Sequence, residues 1–151
     1  MDNTHSFNVK ASSTVARGGL AMAENIQPSI AFTAPPEFQG QPGYWTPEHF
    51  LVAAVASCFV STFSGMAAAS NFEFLSLHVE ARGIVEKDEA GWKFKEVVLR
   101  PRLKAVRARD ADRGNRLLEK AGKNCLIGRS LACPLSMESE IALSEEFVTS
   151  G

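Results

Sequence analysis

From Leu75 to Arg82 the chain alternates: Leu75, Leu77, Val79 and Ala81 are apolar, while Ser76, His78, Glu80 and Arg82 are polar. Period two is the signature of a half-buried strand. A turn over Lys87 to Gly91 leads to a second strand. There Trp92 and Phe94 share one parity and Val97, Leu99 and Leu103 the other, which predicts a β-bulge near Lys95 to Val97. Phe50 to Ser70 behaves differently. It carries no formal charge and is apolar on nearly every side, which predicts a helix enclosed by protein. Thr46 suits its N-cap, Pro47 its first position, Glu48 the positive end of its dipole and Asn71 its stop.

Weaker signals fill in the rest. Phe7 to Ala16 reads as a strand, Arg17-Gly18-Gly19 as a tight turn and Leu20 to Ala23 as the returning strand, with a third strand at Ser29 to Thr33. Pro35, Pro36, Gly40, Pro42 and Gly43 make Ala34 to Tyr44 a loop that delivers the chain to the long helix. Asp110 predicts the cap of a second helix running to about Lys123, weakened by Gly114 and Gly122. Leu126 to Leu131 predicts a short helical turn, and Met137 to Phe147 a last strand with Ile141 and Leu143 inward. Strands come in runs with helices between the runs, so the fold class is α+β with a mostly antiparallel sheet. The 151 residues, 45% of them apolar, predict one domain over 1–151.

Composition narrows the partners. A formal net charge of −1 provides no field that steers the chain to nucleic acid or to an anionic membrane. Arg100, Arg102, Lys104, Arg107, Arg109, Arg113 and Arg116 read as a solvated face diluted by Asp110, Asp112 and Glu119, so no nucleic-acid partner is expected. The charge-free stretch has the length to cross a bilayer, yet Ser57, Ser61, Thr62, Ser64 and Gly65 dilute it and no basic cluster flanks it. No membrane partner is expected. The first residues lack a basic region followed by an apolar run, and three cysteines, an odd count, fit a reducing cytoplasm. His5, His49 and His78 form no zinc-finger spacing with the cysteines, so neither metal nor cofactor is expected.

Cys58 and Cys125 carry the candidate chemistry. A thiol in an apolar helix and a second one brought to it by folding can make a reversible redox pair. Cys58 lies well beyond the first turn of its helix, where the dipole does little to favour a thiolate, and burial opposes it. Its activation must come from another part of the chain. Without further context an inert buried thiol is the default reading for Cys58, a solvated turn residue for Arg17 and a helix-start charge for Glu48.

Two segments change that default. Thr46-Pro47-Glu48 with Leu51, Ala53-Ala54 and Ala56-Ser57-Cys58-Phe59, together with Ala121 to Leu131, resemble the OsmC/Ohr proteins, which reduce organic hydroperoxides with two cysteines. The resemblance extends more loosely from the Arg17 hairpin to the last strand. It implies an antiparallel sheet wrapped around long central helices in an intertwined homodimer. It also implies that Cys58 attacks the peroxide, Cys125 resolves it, and Arg17 and Glu48 organise the pocket, with a small or lipoyl-type dithiol as reductant. Arg17 would stabilise thiolate and departing alkoxide together. Glu48 lies about 15 Å from Cys58 along one helix, at roughly 1.5 Å per residue, so a second, antiparallel copy of the helix is expected to bring a Glu48 to the site. Tyr44, Trp45, Phe59 and Phe63 are candidates for an apolar substrate pocket.

The sequence departs from the family pattern in two places. Leu126 rather than Pro follows Cys125, and the Cys-Pro pair falls at Cys133-Pro134, which leaves Cys133 as the other candidate resolving thiol. Gly43-Tyr44-Trp45 replaces a small polar approach to the helix. The rival reading is a noncatalytic member that binds a hydrophobic ligand or senses redox state.

Overall fold

A computed structural model describes residues 3–143 as β1 (Lys10–Ser13), β2 (Gly18–Ala23), β3 (Ile26–Thr33), α1 (Pro47–Ala69), β4 (Phe74–Asp88), β5 (Gly91–Ala105), α2 (Ala111–Asn124), α3 (Leu126–Arg129), β6 (Leu135–Met137) and β7 (Glu140–Leu143). The class is α+β, as expected. The chain divides into two units, Met1–Leu51 and Val52–Gly151, with α1 running across the boundary.

In the first unit β1, β2 and β3 form an antiparallel sheet in that order. The hairpin turn falls earlier than the glycines suggested. Ala16 and Arg17 take φ of 54° and 63°, while Gly18 and Gly19 belong to β2. Gly19 is required there by close packing, since a Cβ would lie 2.6 Å from both the Ser12 carbonyl and the Phe32 ring. The breaker-rich loop then folds back on β3. Thr33, buried, sets its hydroxyl 2.6 Å from the Ala34 carbonyl and 3.1 Å from that of Gln41, and its N–H donates to the Trp45 carbonyl at 2.9 Å. These bonds fix the approach to α1.

Thr46 caps α1 by accepting the His49 N–H at 3.1 Å, and His49 returns the bond by accepting the Thr46 N–H on Nδ1 at 3.2 Å. It is a capping box with an imidazole in the usual carboxylate or amide role. At the other end Asn71, with φ of 53°, closes a Schellman motif through Asn71 N–H to Ala68 O and Phe72 N–H to Ala67 O. The helix is not enclosed by its own chain. Val55, Phe59, Phe63 and Ala67 form one buried stripe, whereas Ser57, Ser61, Ser64, Gly65 and Ala68 are exposed. By length and composition α1 suits a bilayer, but its stripe packs on protein, with the Phe63 ring 5.2 Å from that of Phe74.

In the second unit β4 and β5 are antiparallel, and the bulge sits at Lys95: Ile84 pairs with Glu96 and Val85 with Phe94. A second bulge, at Leu75, was not foreseen. Phe74 pairs with Ala105 and Ser76 with Lys104, which turns Leu75 out to solvent at 54% exposure. The inner face of β5, Val97, Leu99, Pro101, Leu103 and Ala105, is wholly buried and forms the core with Phe59, Phe63 and Leu118. Asp110 stands at the start of α2 without capping it; its carboxylate takes the Arg107 guanidinium at 3.4 Å. Gly114, instead of merely weakening α2, admits Leu103, whose Cδ2 would lie 2.9 Å from a Cβ there.

The expected last strand is two short ones, both parallel to β5, because α2 and α3 carry the chain back before it re-enters the sheet. Ala142 is its most buried residue, with Ile141 and Leu143 half-buried, and 144–147 lie outside the described residues. Val97 donates to the Pro134 carbonyl and Leu99 accepts from Glu138, so residues 97, 99 and 101 turn their backbone groups to this edge. Pro101, with no N–H to offer, stands where the pairing passes from Met137 to Glu140.

Candidate functional site

Alpha-helical periodicity brings Cys125 inward. Gly114, Leu118 and Ala121 are the buried positions of α2, and Cys125 continues the same stripe one turn further, with no exposed surface. Its sulfur reaches the carbonyl of Val55 at 4.0 Å, one turn before Cys58 on α1. The chain turns sharply at Cys125, which becomes the N-cap of α3 with φ −62° and ψ 117°. The Cys125 sulfur accepts the Gly128 N–H at 3.4 Å, as a Ser oxygen would.

That cap uses one of the free amides of α3 and leaves those of Leu126 and Ile127 for another acceptor. The acceptor is Cys58. Burial pushes the Cys58 thiol up, but hydrogen bonding from the Ile127 N–H, the Cys125 thiol, the Thr62 hydroxyl and the Leu126 N–H outweighs it and holds the group below the ordinary thiol range. The Thr62 oxygen lies 3.8 Å from the Cys58 sulfur. Cys125 moves the other way: burial raises it, the Gly128 N–H opposes, and the neighbouring Cys58 raises it further. Cys58, half-buried, is therefore the thiol that ionises first, and Cys125, fully buried, the one that stays protonated. Both are free thiols.

The lowering of the Cys58 thiol thus comes in part from backbone amides. Neither Leu126 nor Ile127 was a candidate, because an amide carries no signature in the residue alphabet. The legible clue was the buried stripe of α2 ending on Cys125.

Arg17 and Glu48 do not pair with each other within the chain. The Arg17 guanidinium donates to the Phe38 carbonyl at 3.4 Å, and Glu48 keeps Oε1 buried without a hydrogen-bond partner. Tyr44 and Trp45, both about half exposed, line a shallow cavity of 290 Å³ with Gly43 and His49, and Trp45 stacks on Phe50 with centroids 6.0 Å apart. Phe59 and Phe63 are corrected. Both have no exposed surface, so they fill the core and leave no wall for a ligand. Cys133 is half-buried between α3 and β6, with no hydrogen bond to either other thiol. The cationic run is paired in part: Arg100 pairs with Glu138, Arg102 with Glu140 and Arg107 with Glu73, while Arg113 donates to the Ser70 carbonyl.

Residues 40–140 match the family model for OsmC-like proteins. The uncharacterized protein YmaD of Bacillus subtilis is 28% identical over 150 residues, spanning 94% of this chain and 98% of YmaD. Among solved structures, an OsmC-like protein of unknown function from Vibrio cholerae gives a TM-score of 0.79 at 21% identity, covering 90% of this chain and 99% of its own. An organic hydroperoxide resistance protein, OsmC, from Legionella pneumophila gives 0.74 at 18% identity, covering 93% and 99%. These likenesses extend to nearly the whole α+β arrangement.

Proposed function

Since the chain belongs to the OsmC-like protein family, we propose that it is a cytoplasmic thiol peroxidase that reduces organic hydroperoxides through Cys58 and Cys125. One observation carries the reading: a half-buried thiol held below the ordinary range by the amides of α3, with a second, fully buried thiol as its neighbour. The Cys58 thiolate attacks the outer peroxide oxygen, the O–O bond breaks, and the alkoxide leaves as alcohol once protonated. Cys58 is now a sulfenic acid. Cys125 attacks that sulfur, water departs, and a disulfide forms before over-oxidation. A dithiol of small or lipoyl type returns both sulfurs to thiols.

Arg17 and Glu48 complete the site in a homodimer. Glu48 Oε1 lacks a partner in its own chain, and the small-residue face of α1 is left uncovered by it, as a helix that meets a second copy requires. Tyr44 and Trp45 supply apolar surface for the organic group of the peroxide. The Legionella protein of the same fold is named for organic hydroperoxide resistance.

The test is consumption of cumene hydroperoxide with a dithiol in excess. Cys58→Ser abolishes it, and Cys125→Ser permits a first turnover without cycling. Equal consumption by wild type and Cys58→Ser removes the enzyme and leaves the ligand-binding or sensing reading.

A further inference from the structure

The two half-cycles make different demands on the same sulfurs. Peroxide must reach Cys58 alone, whereas the reductant has a choice of two atoms in the oxidised protein. Access and leaving-group strength argue in opposite directions. Exchange is faster when the departing thiol has the lower pKa, which favours attack on Cys125 with Cys58 leaving. Burial is the stronger constraint. Cys125 has no exposed surface, enclosed by the Val55 carbonyl on one side and the first turn of α3 on the other. A side chain fully buried in one chain stays buried in any assembly, so dimer formation does not uncover it.

We propose that reduction of the oxidised protein proceeds through a mixed disulfide on Cys58, with Cys125 departing toward the Gly128 amide that already holds its sulfur in the thiol form. This rests on the peroxidase reading only for the pairing of the two thiols. The thiolate of the incoming dithiol bonds to the Cys58 sulfur as the Cys58–Cys125 bond breaks. Cys125 leaves as a thiolate, accepts the Gly128 N–H and takes up a proton. The second thiol of the reductant, deprotonated, attacks its own sulfur on Cys58, which is released as thiolate while the reductant departs as a disulfide. Two electrons pass from dithiol to protein.

The experiment uses a Cys133→Ser background, oxidised with diamide so that the disulfide does not depend on peroxide chemistry. Brief exposure to 2-mercaptoethanol, acid quenching and labelling with N-ethylmaleimide are followed by peptide mass spectrometry. The expected product carries mercaptoethanol on Cys58 and maleimide on Cys125, in at least about tenfold excess over the reverse. An equal mixture, an adduct mainly on Cys125, or failure of diamide to join the two cysteines overturns the proposal. As a second measurement, Cys125 in a Cys58→Ser chain reacts with 4,4′-dithiodipyridine at least about tenfold more slowly than Cys58 in a Cys125→Ser chain; equal rates also overturn it. If diamide forms the disulfide and an organic hydroperoxide does not, the peroxidase reading fails while this one stands on the adduct.

Discussion

Thr62→Val removes one hydroxyl and nothing else of comparable size. Ser57 and Ser70, on or next to the same helix, turn their hydroxyls back to carbonyls four residues earlier, at 2.7 Å each. Thr62 instead lies one turn after Cys58 and has the sulfur as its partner at 3.8 Å. Hydrogen bonds to charged groups contribute about 1.5–3 kcal/mol. At 3.8 Å from a large, soft acceptor in a half-buried site, the contribution falls to about 1 kcal/mol, which at 1.36 kcal/mol per unit raises the Cys58 titration by roughly 0.7 pH units. The sign follows from the charge: the hydroxyl favours thiolate, so its loss favours thiol, and alkylation at a fixed pH below the midpoint slows. The assay is the pH dependence of initial iodoacetamide alkylation, with thiolate absorbance near 240 nm as a second readout. Thr62→Ser keeps the hydroxyl and restores the wild-type midpoint. A Val variant that titrates with wild type, or a Ser variant that shifts as far as Val, refutes the reasoning.

Two further outcomes follow from the fold. Sedimentation velocity on the reduced protein finds a dimer; a stable monomer with full peroxidase activity removes the shared site. Gly19→Val forces a side chain against the Ser12 carbonyl and the Phe32 ring, each 2.6 Å from where its Cβ would lie, and lowers the urea midpoint by the equivalent of about 1–3 kcal/mol or more, whereas an unchanged midpoint means that the hairpin closes differently.

Periodicity carried most of the second unit. The parity switch across Lys95 is visible in the side chains themselves, because a bulge must reverse which residues face the core. Leu75 misled for the same reason: its bulge lies at the very start of β4, where too few residues precede it for the alternation to register a slip. Gly18 and Gly19 were misread because glycine answers to two demands, positive φ and close approach, and the sequence does not say which. At the site, both thiols were legible, and the fold makes them neighbours. The amides of Leu126 and Ile127 were not, since backbone direction depends on the sharp turn at Cys125, and His49 was overlooked as a cap because Glu or Gln is the usual sign. Phe59 and Phe63 were offered as pocket walls by chemistry alone; only packing distinguishes a wall from a core.

Pro101 confers mechanical independence. A residue without a donor, facing the gap between β6 and β7, lets the final edge part there without leaving a hydrogen unsatisfied. Residues 135–137 are consequently fastened by their own three-residue clasp, and 140–143 by another.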